Sequence, residues 1–175
     1  MIKQTKWFER TFRFDSPVGI FPCLLERLRG TPARLEEIVN SLPAGILTRR
    51  VDGGWSIQEH VGHLLDLESL GAQRLNDFRS GASVLTAADL SNRRTHEANH
   101  NAVAMRNILD QFRNARTALV GQLELLNEEE AGRSAVHPRL NTPMRVVDWC
   151  TFVAEHDDHH VARMVGLAKQ IQQRA

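Results

Sequence analysis

Trp55-Ser56-Ile57-Gln58-Glu59-His60-Val61-Gly62-His63-Leu64 reads as the opening of a helix, with Ser56 at the N-cap and Glu59 three residues on. That pair forms a capping box, in which each side chain satisfies a backbone N–H that the first helical turn leaves without a partner. Ile57, Val61, Leu64 and Leu67 then recur at helical spacing and predict a helix running to about Arg79.

Working outward, the same period returns on both sides. Upstream, Phe21-Pro22-Cys23-Leu24-Leu25-Glu26-Arg27-Leu28 begins a first helix, and Thr31-Pro32 predicts a break or kink near Gly30 before the helix resumes to about Leu42. Downstream, Ser80-Gly81-Ala82-Ser83 starts a crossover, after which Val103, Ile108, Leu109, Phe112, Leu119, Leu123 and Leu126 mark a third helix. The segment from Asn127 to Thr142 has little periodicity and reads as a loop with at most a short turn. Pro143 then opens a fourth helix to about Gln170, with Val146, Trp149, Cys150, Val153, Met164 and Leu167 inward. Strand signals are nearly absent. The expectation is an all-α four-helix bundle, with residues 1–175 as a single domain.

Composition narrows the function classes. A formal net charge of +1, with 42% apolar and 25% charged residues, provides no field to gather nucleic acid or an anionic membrane. Arg49-Arg50 and Arg93-Arg94 are pairs rather than stripes, and no apolar run approaches the ~20 residues of a membrane helix. Cys23 and Cys150 lie in apolar runs without metal or redox spacing, which predicts buried thiols and suits a reducing cytoplasm. Residues 1–14 alternate charges with Trp7, Phe8, Phe12 and Phe14, unlike a signal peptide, and read as a docking arm. No G-x-S-x-G or phosphate-loop pattern occurs.

Chemistry concentrates in the histidines. On the fourth helix His156 and His160 differ by about 40° around the axis and continue the apolar series, so both point inward. Buried imidazoles need partners for their nitrogens, and a shared metal satisfies two at once. A third imidazole opposite would complete a facial site with open positions for water and substrate. The second helix offers His60 and His63, about 60° apart, and the helical wheel does not choose between them. Glu59, Asp66, Glu155, Asp157 and His159 are candidates to orient ligands or accept protons, each equally readable as a solvated or helix-pairing charge.

His96-Glu97-Ala98-Asn99-His100 matches the H-E-x-x-H pattern of zinc proteases. Arg93, Arg94, Asn99 and Asn101 make its surroundings too polar for the buried helix that chemistry needs, and Val103 stands where the extended motif has glycine. It reads instead as a polar start to the third helix, with His100 near the mouth of the site. His137-Pro138, in the third connection, reads as a plain surface turn ahead of the alternative, a loop residue pointing into the site.

Trp55-Ser56 with Glu59, His63-Leu64, Asp66 and Glu68, then Asn99 and Arg116 on the third helix, and finally His156-Asp157 with His159-His160, resemble the DinB-like superfamily of small four-helix metalloproteins, in particular its YfiT-type metal-dependent hydrolases. The resemblance runs from the first helix to about residue 167. It implies the ligand set His63, His156 and His160, which decides between His60 and His63, and it implies a homodimer. Some members are similar to thiol-dependent transferases, others to hydrolases.

Together these readings predict a cytoplasmic metal-dependent hydrolase in which a divalent ion, zinc ahead of nickel, iron or manganese, activates water on a small-molecule substrate. The rivals are a metal-dependent transferase acting with a low-molecular-weight thiol, and a non-catalytic metal-binding stress-response protein. In the last case a protein group such as Glu59, Asp66 or His159 should fill the remaining coordination position.

Overall fold

Four long helices dominate the computed structural model, which describes residues 2–174: α1 (Phe21–Asn40), α3 (Ile57–Ser80), α5 (Met105–Leu123) and α7 (Val146–Gln173). Short helices α2 (Ala44–Leu47), α4 (Arg93–Glu97) and α6 (Glu128–Ala131) sit in the connections, with an antiparallel hairpin of β1 (Ser134–His137) and β2 (Thr142–Arg145) before α7. The fold is a four-helix bundle, as expected. α1 packs on α5 and α7, and α3 packs on the same two, so the helices run α1–α5–α3–α7 around the bundle.

Directions follow from the core. Leu24, Leu25 and Leu28 of α1 share one apolar cluster with Trp149 and Cys150 of α7, but with Leu75 and Phe78 near the end of α3 and Leu119 and Leu123 near the end of α5. Leu35 and Val39, Met164 and Leu167, Ile57 and Val61, and Ile108 and Phe112 fill the opposite cluster. α1 and α7 are therefore parallel to each other and antiparallel to α3 and α5. Of the consecutive long helices, α3 and α5 are parallel neighbours and the other two pairs lie diagonally, so none can be joined by a tight turn; the long connections follow, and the resulting order sets α3 against α7, the pairing on which the site depends.

A polar layer lies between the two apolar clusters. Arg116 of α5, 2% exposed, bonds Glu68 of α3 (Nη2 to Oε1, 2.6 Å) and Asp157 of α7 (Nη1 to Oδ2, 2.5 Å). Thr31 of α1 donates to Asp157 Oδ2 at 2.8 Å. Arg116 also reaches the carbonyl of Leu28 at 3.4 Å, the group that Pro32, lacking an N–H, leaves without its helical donor. This corrects the expected break near Gly30: α1 is continuous through Pro32, because another helix supplies the missing donor and the ring is buried.

Other departures have local causes. The stretch read as a loop from Asn127 to Thr142 holds α6 and the start of the hairpin, and Pro143 lies in β2 rather than opening α7. Strands of four residues, half buried, carry too little alternation to be legible. Ser83 and Leu85 of the crossover bond Val136 (Val136 N–H to Ser83 O, 2.9 Å; Leu85 N–H to Val136 O, 3.0 Å), which ties the hairpin to the α3 side. Cys150 is buried, but Cys23 is exposed, since Phe21, Leu24, Leu25 and Leu28 take the inner face of α1. No described helix is long and apolar enough to cross a membrane.

Candidate metal centre

The capping box at Ser56 forms as read: Glu59 N–H donates to Ser56 Oγ at 3.1 Å and Ser56 N–H donates to Glu59 Oε2 at 2.9 Å. Arg50 Nε adds a bond to the same carboxylate at 2.9 Å. Burial works against the charge, but Arg50 and Ser56 prevail and hold Glu59 at about 2. This anchored start fixes the rotation of α3, so His60 and His63, 6% and 5% exposed, both face α7.

His63, His156 and His160 each bring one ring nitrogen to within 4.8 Å of the others'. His156 Nε2 and His160 Nε2 are 3.2 Å apart. Nitrogens on a tetrahedral zinc at about 2.0–2.1 Å are separated by about 3.3–3.4 Å, so this edge already has the right length. Burial, followed by the neighbouring imidazoles and, for His156, by Arg116 and Arg139, holds His156 and His160 well below their usual range. Burial also lowers His63 to about 4, against the pull of Asp66. All three rings are therefore neutral at pH 7, the form in which imidazole binds a metal.

Hydrogen bonds on the outer nitrogens decide which lone pairs face inward. His63 Nδ1 lies 3.1 Å from Thr95 Oγ1, and Thr95 donates its own proton to Asp66 Oδ2 at 2.9 Å. The hydroxyl must then accept from His63 Nδ1–H, which leaves Nε2 as the free lone pair. His100 Nε2 donates to the same Asp66 oxygen at 2.9 Å. His160 Nδ1 lies 2.8 Å from His60 Nδ1, so His60 occupies the outer side of His160 rather than the cluster itself. The donor set and its tautomers fit a divalent ion.

Several groups named in the sequence act elsewhere. Glu155 pairs with Arg10 and Arg27, His159 Nδ1 with Gln4 Nε2 at 3.1 Å, and Asp157 with Arg116 and Thr31. With Glu59 in its cap and Asp66 on Thr95 and His100, none of these joins the cluster. The H-E-x-x-H stretch is not one helix: α4 ends at Glu97 and Asn99 has φ 48°, so exposed His96 and buried His100 cannot share a face. Asn99 accordingly precedes α5. His100 lies behind the site rather than at its mouth, and a Cβ on Gly62 would come within 2.3 Å of its ring. Thr95 and Gly62 had no readable signal, because their partners lie in the irregular crossover.

The arm does dock. Trp7 packs edge-on to His156 at 4.8 Å between ring centres, Trp55 covers His63 at 4.7 Å, and residues 3–8 line a cavity of about 710 Å³ that opens onto the three histidines. His137, for which a surface turn was the favoured reading, is 2% exposed and lines this cavity, in keeping with the alternative of a residue pointing into the site.

The architecture is shared with solved structures. YfiT from Bacillus subtilis, a probable metal-dependent hydrolase with an unusual four-helix bundle topology, superposes with a TM-score of 0.80 at 17% identity, covering 93% of this chain and 94% of that one. A mycothiol-dependent maleylpyruvate isomerase superposes with a TM-score of 0.66 at 7% identity, over 84% of this chain and 62% of that one. Identities this low speak for the fold alone. No curated protein sequence matches the chain. The sequence model of the DinB superfamily matches residues 27–164, which include all of α3, α5 and the histidine pair of α7, and the chain belongs to that superfamily.

Proposed function

We propose that this protein is a metal-dependent hydrolase of small molecules, with His63, His156 and His160 as the ligands of one divalent ion. The observation that carries this reading is the convergence of three neutral imidazoles, within 4.8 Å, at the wall of a cavity of about 710 Å³. A bound zinc would supply Lewis acidity and bring the pKa of a water down to ~7. The chain's own part is to hold the ligands and shape the space. Thr95 and His60 orient His63 and His160, Trp55 and Trp7 exclude bulk water, and the side toward the cavity is left to substrate. The side chains of Glu59, Asp66 and His159, the protein groups that would close a non-catalytic site, have other partners.

Elemental mass spectrometry on untagged protein tests the reading. Near-stoichiometric metal is expected in the wild type, with strong loss in His63→Ala and His160→Ala while circular dichroism keeps its helical signature. Retention of metal in both variants rejects the ligand set. A second reading, thiol-dependent transfer, draws support from the bundle shared with a mycothiol-dependent enzyme. It requires that turnover of an electrophile depend on an added low-molecular-weight thiol, whereas hydrolysis proceeds without one.

A further inference from the structure

In the wall of the same cavity, Arg74 of α3 and His137 and Arg139 of the β1–β2 hairpin present donors that the chain leaves partly or wholly unused. His137 Nδ1 accepts the N–H of Leu140 at 3.3 Å, so the neutral ring carries its proton on Nε2, and that buried N–H has no partner. Nη2 of Arg139 is likewise buried and unbonded. The Arg139 guanidinium lies 5.2 Å from the ring centre of Phe8 and 5.7 Å from that of Phe152, contacts that leave its N–H groups free for an acceptor. Arg74, 5% exposed, bonds among the described residues only the carbonyl of Thr86, through Nε at 2.9 Å. Neither arginine has a carboxylate in ion-pair range among the described residues.

The nearby acids are committed elsewhere. Asp77 accepts the N–H of Thr86 at 2.6 Å, Asp89 is held by Ser91 and Arg93, and Glu68 belongs to Arg116. Burial lowers Arg74 to about 10, with Arg139 adding to the effect and Asp77 opposing it. Burial lowers His137 to about 4, with the two guanidiniums adding to it. A buried cation such as Arg74 costs stability unless something pairs with it, and half-buried Arg139 does so to a smaller degree. Here that partner is missing from the chain itself.

We infer that Arg74, Arg139 and His137 form a binding site for an oxyanion, a carboxylate or phosphate borne by the substrate, and so orient its remaining part toward the histidine cluster. Phe152, beside Arg139, precedes His156 by one turn of α7, about 5–6 Å of rise, so a small molecule spans both sites. Trp149, Leu67, Leu119 and Phe152 line the cavity and suit an apolar body. The substrate class is thus a small apolar molecule with one anionic end. The location of the reacting bond rests on the function proposed above, but anion binding does not require the metal.

The test uses full-length protein stripped of metal with EDTA and titrated calorimetrically with benzoate, phenylphosphonate and uncharged benzamide. Benzoate or phenylphosphonate is expected to bind at least tenfold more tightly than benzamide, the tighter of the two naming the head group. Arg139→Met and Arg74→Met should each raise that Kd at least tenfold, with Arg139→Lys intermediate. Without ligand, Arg139→Met should melt no lower than wild type, because it removes an unpaired charge and keeps the stacking. Equal binding of benzamide, anion affinity unchanged in the methionine variants, or a clearly lower melting temperature for Arg139→Met overturns the inference. Anion binding in a protein that takes up no metal would defeat only the ligand assignment, and the converse would defeat only the anion site.

Discussion

His60 shows how much rests on a single side chain. Sequence periodicity ranks it with His63, since both lie on the buried face of α3. Only the packing separates them, because the ring of His60 meets Nδ1 of His160 at 2.8 Å. If His160 binds through Nε2, its Nδ1 must carry the proton, and His60 is the acceptor that holds it there. His60→Ala should therefore keep near-stoichiometric metal at saturating concentration but weaken affinity about 10–100-fold. Competition with a chromophoric chelator reads this directly. Complete loss of metal would make His60 a ligand, and unchanged affinity would deny it a positioning role. The histidine pair of α7 was legible because it sits inside a regular period. His137 was not, since its burial depends on a hairpin of two four-residue strands and on the arm over it.

At the scale of the element, α3 carries two devices of different legibility. The capping box was readable from Ser56 and Glu59 alone, because it is local in sequence. Glu59→Gln removes the charge that Arg50 and the helix start hold at about 2. A carboxyl depressed in the folded state stabilises above its unfolded pKa and loses that contribution as pH falls. Wild type should thus exceed the variant by about 1–2 kcal/mol near pH 7, and the gap should shrink between pH 4.5 and about 2. Urea unfolding at several pH values checks it, and a gap independent of pH would refute it. The close approach of Gly62 to His100 was illegible, because it depends on where the crossover lies. In Gly62→Ala the His100 ring must move, and with it the Asp66–Thr95 chain behind His63. Weaker metal binding with nearly intact helicity is expected, and wild-type affinity would show that the crossover can yield without disturbing His63.

Over the whole molecule, periodicity gave four helices but not their pairing, which depends on long connections that bring parallel helices together. Arg116 joins all four: it bonds Glu68 of α3, Asp157 of α7 and the Leu28 carbonyl of α1, and Asp157 also holds Thr31. Burial raises Glu68 against the effect of Arg116, so that guanidinium is the group that favours its carboxylate form. Removing one member of a buried ion network leaves its partners unpaired, at a cost of about 3–5 kcal/mol. Arg116→Met should therefore destabilise strongly in urea. Replacing the set together, as Arg116→Met with Glu68→Leu and Asp157→Leu, should recover much of the loss, since apolar residues of similar size can substitute for a buried network. The network would then have a second role, because it stands beside His156 in sequence and joins α7 to α3. The triple variant should fold yet bind metal less tightly than wild type, as the His60–His160 contact is then the polar link left to fix the register of those two helices. A triple variant with wild-type stability and wild-type metal affinity would show that apolar packing alone aligns His63 with His156 and His160.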